Sequence, residues 1–275
     1  NQSVDEWTSI GPEESMISNN GYEILVNTNI INGTQLNLEL VLENPNGYFD
    51  TEILTLELGD VTEGDPLGPD NHGYYIYDDG DTNYDFKPTY DWFEIDPDFG
   101  GNGIDLNMND SGNGIFSTSI ITVDLPFLIT FYGIEYDQIT ICSNGWISFG
   151  ETNMESFRNY ELPGAGGPSP MIAIFWDDLK TSGGGDVYHY TDPDNEFYII
   201  EWSELRTFNQ NSLESFQIIF YDTGEQTPTG DDEILLQYKE FNNTSVGSYP
   251  IGFWDDVVHY RKIGIENHPK FKPKR

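Results

Sequence analysis

The sequence predicts an all-β protein built as an antiparallel β-sandwich, and two observations support this fold class. Short apolar stretches recur at intervals of about 8–12 residues with turn residues between them, which is the pattern of sandwich strands. The 28 glycines and 15 prolines are spread along the chain as turn positions. No stretch shows the 3.6-residue periodicity of an amphipathic helix.

Residues 1–62 predict a small sheet of three strands. The strand-like runs are YEILVNT (22–28), QLNLELVLE (35–43) and EILTLELGD (52–60). Asn32-Gly33 and Asn46-Gly47 stand between them as turn signals. The leucines of the second run alternate with polar residues, as in a strand with one buried face. Three strands are thin for a sandwich, so this part looks like the closing half of an immunoglobulin-like module whose first half is absent.

The stretch VTEGDPLGPDNH (61–72) is rich in Gly, Pro and Asp and predicts a linker with a boundary near residue 62. We expect one larger sandwich domain over 63–267 and a basic tail over 268–275. Its centre is predicted at Phe131–Leu179, where two apolar strands meet at a Ser143-Asn144-Gly145 turn. A Gly/Pro loop then leads to the apolar strand MIAIFWDDL (171–179). Further strands are expected within 73–85, 89–97, 116–133 (broken near Pro126), 183–205, 214–222, 232–241 and 257–267.

The formal charge of -37 is unevenly distributed, since six of the 11 basic residues lie in 261–275. Nucleic acid is excluded as a partner because the remaining surface would repel phosphates. Charge repulsion of this size destabilises a compact chain unless cations offset it, and calcium, which prefers oxygen ligands, is one candidate. A solubilising acidic surface, as in a salt-adapted protein, explains the same composition.

Cysteine content and hydropathy bear on the location of the protein. Cys142 is the only cysteine, so no intrachain disulfide can form. No apolar run approaches the roughly 20 residues that span a membrane. We expect a secreted, extracellular or cell-surface bacterial protein stabilised by packing and metal. The start at Asn1 looks like the edge of a mature or excised fragment.

Several motifs resemble those of a known module. They include GDPLGPDNHGYYIYDDGDTNYD, YDQITICSNGWISFG, FRNYELPGAGGPSPMIAIFWDDL and IGIEN, and they span about 65–267. Together they resemble a β-sandwich accessory module of large secreted bacterial peptidases. The SNGWISFG part is more loosely similar to the nidogen-type extracellular domain. The resemblance implies a jelly-roll or nidogen-like sandwich without catalytic activity. It also implies a subtilisin-like, gingipain-like or metallopeptidase domain in the parent protein, often followed by an immunoglobulin-like module.

Acidic loops are the candidate metal sites. From Asp79 the loop reads D-x-D-x-N, the spacing at which alternating oxygen ligands surround calcium. Tyr84 replaces the glycine of an EF-hand loop, which excludes that motif but leaves a calcium loop in a β-protein open. The candidate ligands here are Asp78, Asp79, Asp81, Asn83 and Asp85. An ordinary Asp/Gly turn is the alternative.

Two further carboxylate pairs are weaker metal candidates. Asp177 and Asp178 end the apolar strand, and neighbouring residues of a strand point in opposite directions. They therefore fit poorly as a facing glycosidase pair, and a cap, a turn or a calcium-linked role is favoured. Asp192 and Asp194 lie in a DPDN turn that turn chemistry alone explains.

Aromatic residues are the candidate ligand-binding groups. Trp254, Tyr74 and Trp92 could contribute to a surface on which sugar rings stack, whereas most other aromatics in strand runs are expected in the core. Cys142 lies in a strand pattern within a strongly negative chain, which favours a buried, unreactive thiol. No Ser/His/Asp signature, nucleophile elbow or phosphate loop occurs in the sequence.

The expected function is a non-catalytic, calcium-stabilised accessory module of a secreted peptidase. It would stabilise or space the parent enzyme, or engage a substrate or surface. The expected partner is the catalytic domain of the parent protein, or an extracellular protein or glycan. A carbohydrate-binding or adhesion module is the alternative. An independent hydrolase is a third and weaker hypothesis.

Overall fold

The computed structural model of the chain describes most of its residues. The described residues are 4–7, 9–17, 21–27, 30–70, 72–113, 116–160, 162, 165–194, 196–222, 227–242 and 264–266. They divide into two compact units. The smaller comprises the described residues up to Pro66 together with Gly80–Lys87, and the larger comprises Leu67–Asp79 and the described residues from Pro88 onwards. The predicted limits of 62 and 267 stay a prediction, and the basic tail lies outside the described residues.

The smaller unit contains one β-hairpin. Strands β1 (Thr34–Glu43) and β2 (Phe49–Leu58) pair antiparallel along their full length. Gly47 has a φ of 87° in the connecting turn, which is the left-handed region that the Asn46-Gly47 signal predicts. The third strand, predicted at 22–28, is wrong for its described part. Residues 21–27 form no strand, because no described strand lies beside them to complete the backbone hydrogen bonds.

The larger unit is built from short and medium strands. They are β3 (Ile104–Asp105), β4 (Asn109–Asp110), β5 (Phe116–Thr118), β6 (Ile120–Phe131), β7 (Ile134–Cys142), β8 (Trp146–Phe149), β9 (Met171–Ala173), β10 (Leu179–Lys180), β11 (Asp186–Thr191), β12 (Phe197–Thr207), β13 (Leu213–Tyr221), β14 (Glu233–Phe241) and β15 (Gly264–Glu266). One sheet has the order β14-β13-β12-β11-β3, with β10 also paired to β12. The second has the order β15-β9-β8-β7-β6, and β4 pairs with β5.

The two main sheets share one core, which confirms the predicted all-β antiparallel sandwich. Phe131 and Ile141 of the five-stranded sheet pack in the same cluster as Ile200 and Trp202 of the six-stranded sheet. The Trp202 indole N–H donates to the Cys142 carbonyl oxygen at 2.8 Å and so joins the sheets. Burial raises the pKa of the Cys142 thiol to about 12, in agreement with its predicted inert role.

Some predicted strands differ from the structure. Residues 73–85 form no strand, apart from a single bridge between Leu67 and Ile76. The break near Pro126 is also wrong, because β6 runs through it and absorbs the irregularity as a register shift between Asp124 and Ile129. Of the closing strand predicted at 257–267, the backbone of β15 is described, and it pairs with β9.

Residues 88–103, called the strap here, cover the outer face of the six-stranded sheet. They contain the predicted strand 89–97, which is wrong: this segment joins no sheet. Ile95 is 0% exposed and packs with Tyr188, Ile199 and Ile219. These residues alternate along their strands with the residues of the main core, so they lie on the opposite face of the sheet.

Candidate functional site

The predicted Ser143-Asn144-Gly145 turn is the centre of a polar cluster that is buried at Asp110, Ser143 and Asn144 and partly buried at Asp177 and Asp178. This cluster, the SNG node, consists of Asp110, Ser143, Asn144, Asp177 and Asp178. Asp110 is 1% exposed. Its Oδ2 accepts from the Ser143 hydroxyl at 2.6 Å and from the Asn144 amide at 3.3 Å, and its Oδ1 accepts from the Gly112 N–H at 2.7 Å. Three donors therefore offset part of the loss of water around this carboxylate.

The turn residues explain why the chain folds tightly here. Gly145 has a φ of 76°, and a Cβ at this position would lie 1.9 Å from the Phe175 carbonyl oxygen. The Gly145 carbonyl oxygen accepts from the N–H groups of Ile174 and Phe175, both at 3.0 Å. This contact ends β9 at Ala173, so the predicted strand 171–179 is shorter than expected. The Asn144 side chain then accepts from the Leu179 N–H at 2.9 Å.

Asp177 and Asp178 lie at this node, as one of the predicted carboxylate pairs. The Asp178 N–H donates to Asp177 Oδ1 at 2.7 Å, and Asp178 Oδ1 accepts from the Asn113 N–H at 2.8 Å. Burial raises the pKa of Asp178 to about 6, and the charges of Asp110 and Asp177 act in the same direction. Burial also raises the pKa of Asp110. These carboxyl groups are tied to the backbone of their own chain, which is the arrangement of a structural node.

Metal binding was the role predicted for the acidic loops. Among the residues that the structure describes, no group of three or more His, Cys, Asp or Glu side chains is arranged to hold a metal ion. In the loop of residues 78–85, Asp78 and Asp79 belong to the larger unit, whereas Asp81, Asn83 and Asp85 belong to the smaller. Asp81 is buried, and Asp79, Asn83 and Asp85 are exposed. The calcium role of this loop stays a prediction.

Asp65, which the sequence placed in a linker, organises the smaller unit. Its carboxylate accepts from the Tyr84 hydroxyl at 2.5 Å, from the Thr62 N–H at 2.6 Å and hydroxyl at 2.7 Å, and from the Asn32 amide at 3.1 Å. The bond from Tyr84, followed by that from Thr62, lowers the pKa of Asp65 to about 2. Tyr84 is the residue that breaks the EF-hand pattern, and this bond gives it a structural role.

The second turn candidate is explained by its local hydrogen bonds. Asp192 Oδ2 accepts from the N–H groups of Asp194 and Glu196 at 3.0 and 3.3 Å. This is the Asx-turn geometry that favours aspartate at such positions. Metal binding by Asp192 and Asp194 stays a prediction.

Tyr74, a predicted ligand-binding residue, lies in a cluster that joins three loops of the larger unit. Its hydroxyl donates to Asp231 Oδ2 at 2.7 Å, and its ring stacks on Tyr132 with centroids 4.6 Å apart. The Tyr132 hydroxyl donates to Asp70 at 2.6 Å, and His72 Nε2 lies 3.0 Å from Asp231 Oδ2. One face of the Tyr74 ring is therefore covered by a neighbouring ring.

Trp92, the second predicted aromatic, lies half-buried in the strap. Its indole N–H donates to Glu94 Oε2 at 3.3 Å, and Lys239 Nζ lies 5.5 Å from its ring centroid. Lys239 Nζ also contacts Glu94 Oε2 at 2.6 Å. Trp254, the third, lies outside the described residues.

Beside the strap, four aromatic rings form a partly exposed surface that the sequence did not single out. This aromatic patch consists of Phe93, Tyr190, Phe197 and Tyr221. The Phe93 centroid lies 5.4 Å from those of Tyr190 and Phe197, and Phe197 lies 6.3 Å from Tyr221. Phe93 is 41% exposed. Glu233 is the cross-strand partner of Tyr221, and burial, followed by the charges of Glu233 and Asp91, raises the pKa of Tyr221.

Sequence reasoning missed Asp65, Asp70, Asp231 and the aromatic patch as organising groups. Asp70 could have been found from the sequence, because an aspartate in a Gly/Pro/Asn-rich stretch favours an Asx-type turn. In the structure its Oδ1 accepts from the N–H groups of His72, Gly73 and Tyr74. The patch combines Tyr190 and Phe197 of the β11–β12 hairpin with Phe93 of the strap and Tyr221 of β13, so no local sequence pattern contains all four rings.

Comparison with known proteins identifies the larger unit. Residues 106–268 match the model of a family described as NIDO related. This stretch covers more than half of the chain and contains the SNG node and the strands from β4 onwards. The searches of curated proteins and of solved structures found no match. Within the described residues, no helix is long and apolar enough to cross a membrane.

The match confirms the nidogen-like part of the resemblance. It indicates a non-catalytic type of module, of a kind found in extracellular proteins. The parent peptidase expected from the rest of the resemblance stays a proposal. The chain belongs to the NIDO-related family.

Proposed function

We propose that this chain is a non-catalytic accessory module of a secreted bacterial peptidase, which stabilises the parent enzyme or holds it to its substrate or surface. The observation that supports this role is the SNG node in a NIDO-related sandwich. Asp110 and Asp178 accept hydrogen bonds from the backbone and turn side chains of their own chain. Such carboxylates hold a framework together, whereas a hydrolytic pair faces a shared substrate position.

The parent protein provides the test. Its coding sequence should include a peptidase catalytic domain, and we expect removal of residues 63–267 to lower its melting temperature or its binding to a protein substrate. Turnover of a short peptide, which reaches only the catalytic domain, should stay unchanged. A coding sequence without a peptidase domain, or hydrolysis of peptides by residues 1–275 alone, would contradict the proposal.

Calcium binding is part of the same proposal. The loop of residues 78–85 supplies carboxylate and amide oxygens, the ligands that calcium prefers. Bound calcium should raise the melting temperature by mass action, and EDTA should reverse the rise. In an Asp79→Asn and Asp81→Asn double variant, calcium should no longer raise the melting temperature. Magnesium at the same ionic strength is the control, because a purely electrostatic effect of cations on this acidic chain would be similar for both ions.

The aromatic patch favours carbohydrate binding as a second candidate function. Sugar rings stack on exposed aromatic faces, and carboxylates at the edge of a patch accept hydrogen bonds from sugar hydroxyls. The strongly negative chain makes a neutral or basic glycan the suitable ligand.

A glycan array with the wild-type chain, followed by titration of any hit, tests this candidate. Tyr190→Ala should weaken binding by about tenfold or more, because it removes one stacking surface. Tyr48→Ala, in the hairpin turn of the smaller unit, removes an exposed tyrosine elsewhere and should leave binding unchanged. An array without hits, or equal effects of both variants, would reject carbohydrate binding at this patch.

A further inference from the structure

Three polar side chains on neighbouring strands hold the strap to the sheet. Glu201 of β12, Gln217 of β13 and Gln237 of β14 are cross-strand partners in one row. Gln237 forms two bonds of 2.9 Å with the backbone N–H and carbonyl of Asp91. The Gln217 amide donates to the Phe93 carbonyl at 3.3 Å, and Glu201 Oε2 accepts from the Ile95 N–H at 3.3 Å. The row therefore binds every second residue of the strap.

Two oxygens in this row have no donor. Glu201 Oε1 and Gln217 Oε1 are buried without a hydrogen-bond partner, and both side chains are 0% exposed. Exchanging the nitrogen and oxygen of the Gln217 amide would not help, because its oxygen would then oppose the Phe93 carbonyl. These two acceptors belong to neighbouring side chains and are closed off from water. One hydrogen atom between them would satisfy both.

We propose that Glu201 and Gln217 form a buried proton-binding site, in which Glu201 is a neutral carboxylic acid whose O–H donates to Gln217 Oε1. One proton then satisfies both orphaned oxygens and completes the row beneath the strap. When that proton dissociates, an uncompensated charge remains under the strap and faces an acceptor, so the end of the strap around Ile95 loosens. The site is a pH-sensitive fastening of the strap to the sheet.

The surroundings of Glu201 support the neutral acid. Glu94 and Asp96 of the strap act on it with negative charge, and Lys239 of β14 acts on it with positive charge. The phenol of Tyr188 is its cross-strand partner on β11. Lys239 Nζ lies 2.6 Å from Glu94 Oε2, and this ion pair reduces the influence of the lysine charge on Glu201. Burial first, and then the charge of Glu94, raise the pKa of Glu201 to about 8, while the Ile95 N–H and Lys239 act in the opposite direction.

The sign of the pH effect follows from linkage. The folded chain holds the proton up to a pH of about 8, whereas the unfolded chain releases it near the ordinary glutamate pKa of about 4.3. The stabilisation by the bound proton is fully present at a pH below the glutamate pKa of the unfolded chain. This stabilisation is lost as the pH rises toward the pKa of Glu201 in the folded chain. The unfolding equilibrium constant changes by up to about tenfold per pH unit over this range.

Glu201→Gln tests the proposal, because its amide N–H₂ mimics the carboxylic O–H and its oxygen can still accept from Ile95. Urea unfolding would be measured between pH 5 and 9 for wild type, for Glu201→Gln and for Glu135→Gln, an exposed change of the same charge on β7. We expect Glu201→Gln to be more stable than wild type by a factor that grows with pH up to about 8. Glu135→Gln should follow the wild-type profile, and parallel profiles for all three chains would overturn the proposal.

A direct titration distinguishes the site from a general stability effect. In ¹³C NMR spectra of the glutamate carboxyl carbons, the resonance missing from Glu201→Gln should titrate about four pH units above the ordinary glutamate pKa. Hydrogen exchange at the Ile95 amide, relative to the same amide in Glu201→Gln, should accelerate as that resonance titrates. Titration of Glu201 in the ordinary glutamate range would overturn the proposal, since a donor other than the proton would then occupy the gap.

Discussion

The SNG node and the strap each bury a carboxyl group, and they do so in opposite ways. Asp110 at the node receives hydrogen bonds from a hydroxyl, an amide and a backbone N–H. Glu201 under the strap receives one bond of 3.3 Å and has an orphaned oxygen. The donors at Asp110 limit the rise in its pKa that burial causes. Glu201, with one donor, has a pKa raised to about 8 and is stable in the sheet as a neutral acid. The number of donors, rather than burial, separates the two regions.

Gly145→Ala should have the largest effect, because the node depends on this turn. The new Cβ would overlap the Phe175 carbonyl oxygen at 1.9 Å in a backbone conformation with positive φ. We expect a loss of about 4 kcal/mol or more in the free energy of unfolding, measured by urea denaturation. Gly150→Ala is the matched control: its φ is 77°, and no atom lies within 4 Å of the added Cβ. Equal losses for both would show that backbone strain, and not the close approach, limits the turn.

Asp110→Ala sharpens the comparison of the two carboxyl groups. Removing this acceptor leaves the Gly112 N–H without its partner and the Ser143 hydroxyl with only its bond of 3.2 Å to the Ser119 carbonyl oxygen. We expect the free energy of unfolding to fall by about 3 kcal/mol. Glu201→Gln, by contrast, should increase stability at pH 7. Thermal and urea unfolding under one set of conditions would compare them, with Asp137→Ala, an exposed position on β7, as the control. A gain in stability for Asp110→Ala would contradict the role assigned to its three donors.

Gln237→Ala should have the smallest effect. It removes two bonds to the backbone of Asp91, but Asp91 is exposed and water can replace them. The expected loss is about 1 kcal/mol. Hydrogen exchange should increase within the first residues of the strap and stay unchanged at the SNG node. A uniform increase across the larger unit would mean that the strap and the sandwich unfold together, contrary to the comparison above.

The sequence predicts the sandwich well, because alternation of apolar residues reports on each strand separately. The hairpin of β11 and β12, the pair of β13 and β14 and the Ser143-Asn144-Gly145 turn are all confirmed. Trp146, Trp176 and Trp202 lie fully buried, as expected of aromatics in strand runs. The strap shows where this reasoning fails. Its alternating residues read as a strand, but three side chains of the sheet bind its backbone in place of a neighbouring strand.

The candidate site was predictable only in part. Asp177 and Asp178 stood out by their position after an apolar strand, and the structure brings them to the same turn as Asp110. Glu201 did not stand out, because a glutamate within EFYIIEWSEL reads as the exposed face of an alternating strand. Its burial depends on residues about a hundred positions earlier in the chain, and no local pattern contains that information.

The row of Glu201, Gln217 and Gln237 also sets a length limit on the strap. Neighbouring strands are about 4.8 Å apart, whereas two residues of an extended chain advance by about 6.6 Å. The two spacings therefore do not match, and over three strands the strap advances about 4 Å further than the row of side chains. Flexible side chains absorb this difference over three strands, and the row ends where the next partner would be the rigid ring of Tyr188. A single-residue deletion between Asp91 and Ile95 would therefore move the strap by one residue relative to the row. The residues that now alternate with the bound ones would meet the row, and Trp92 would turn toward the sheet.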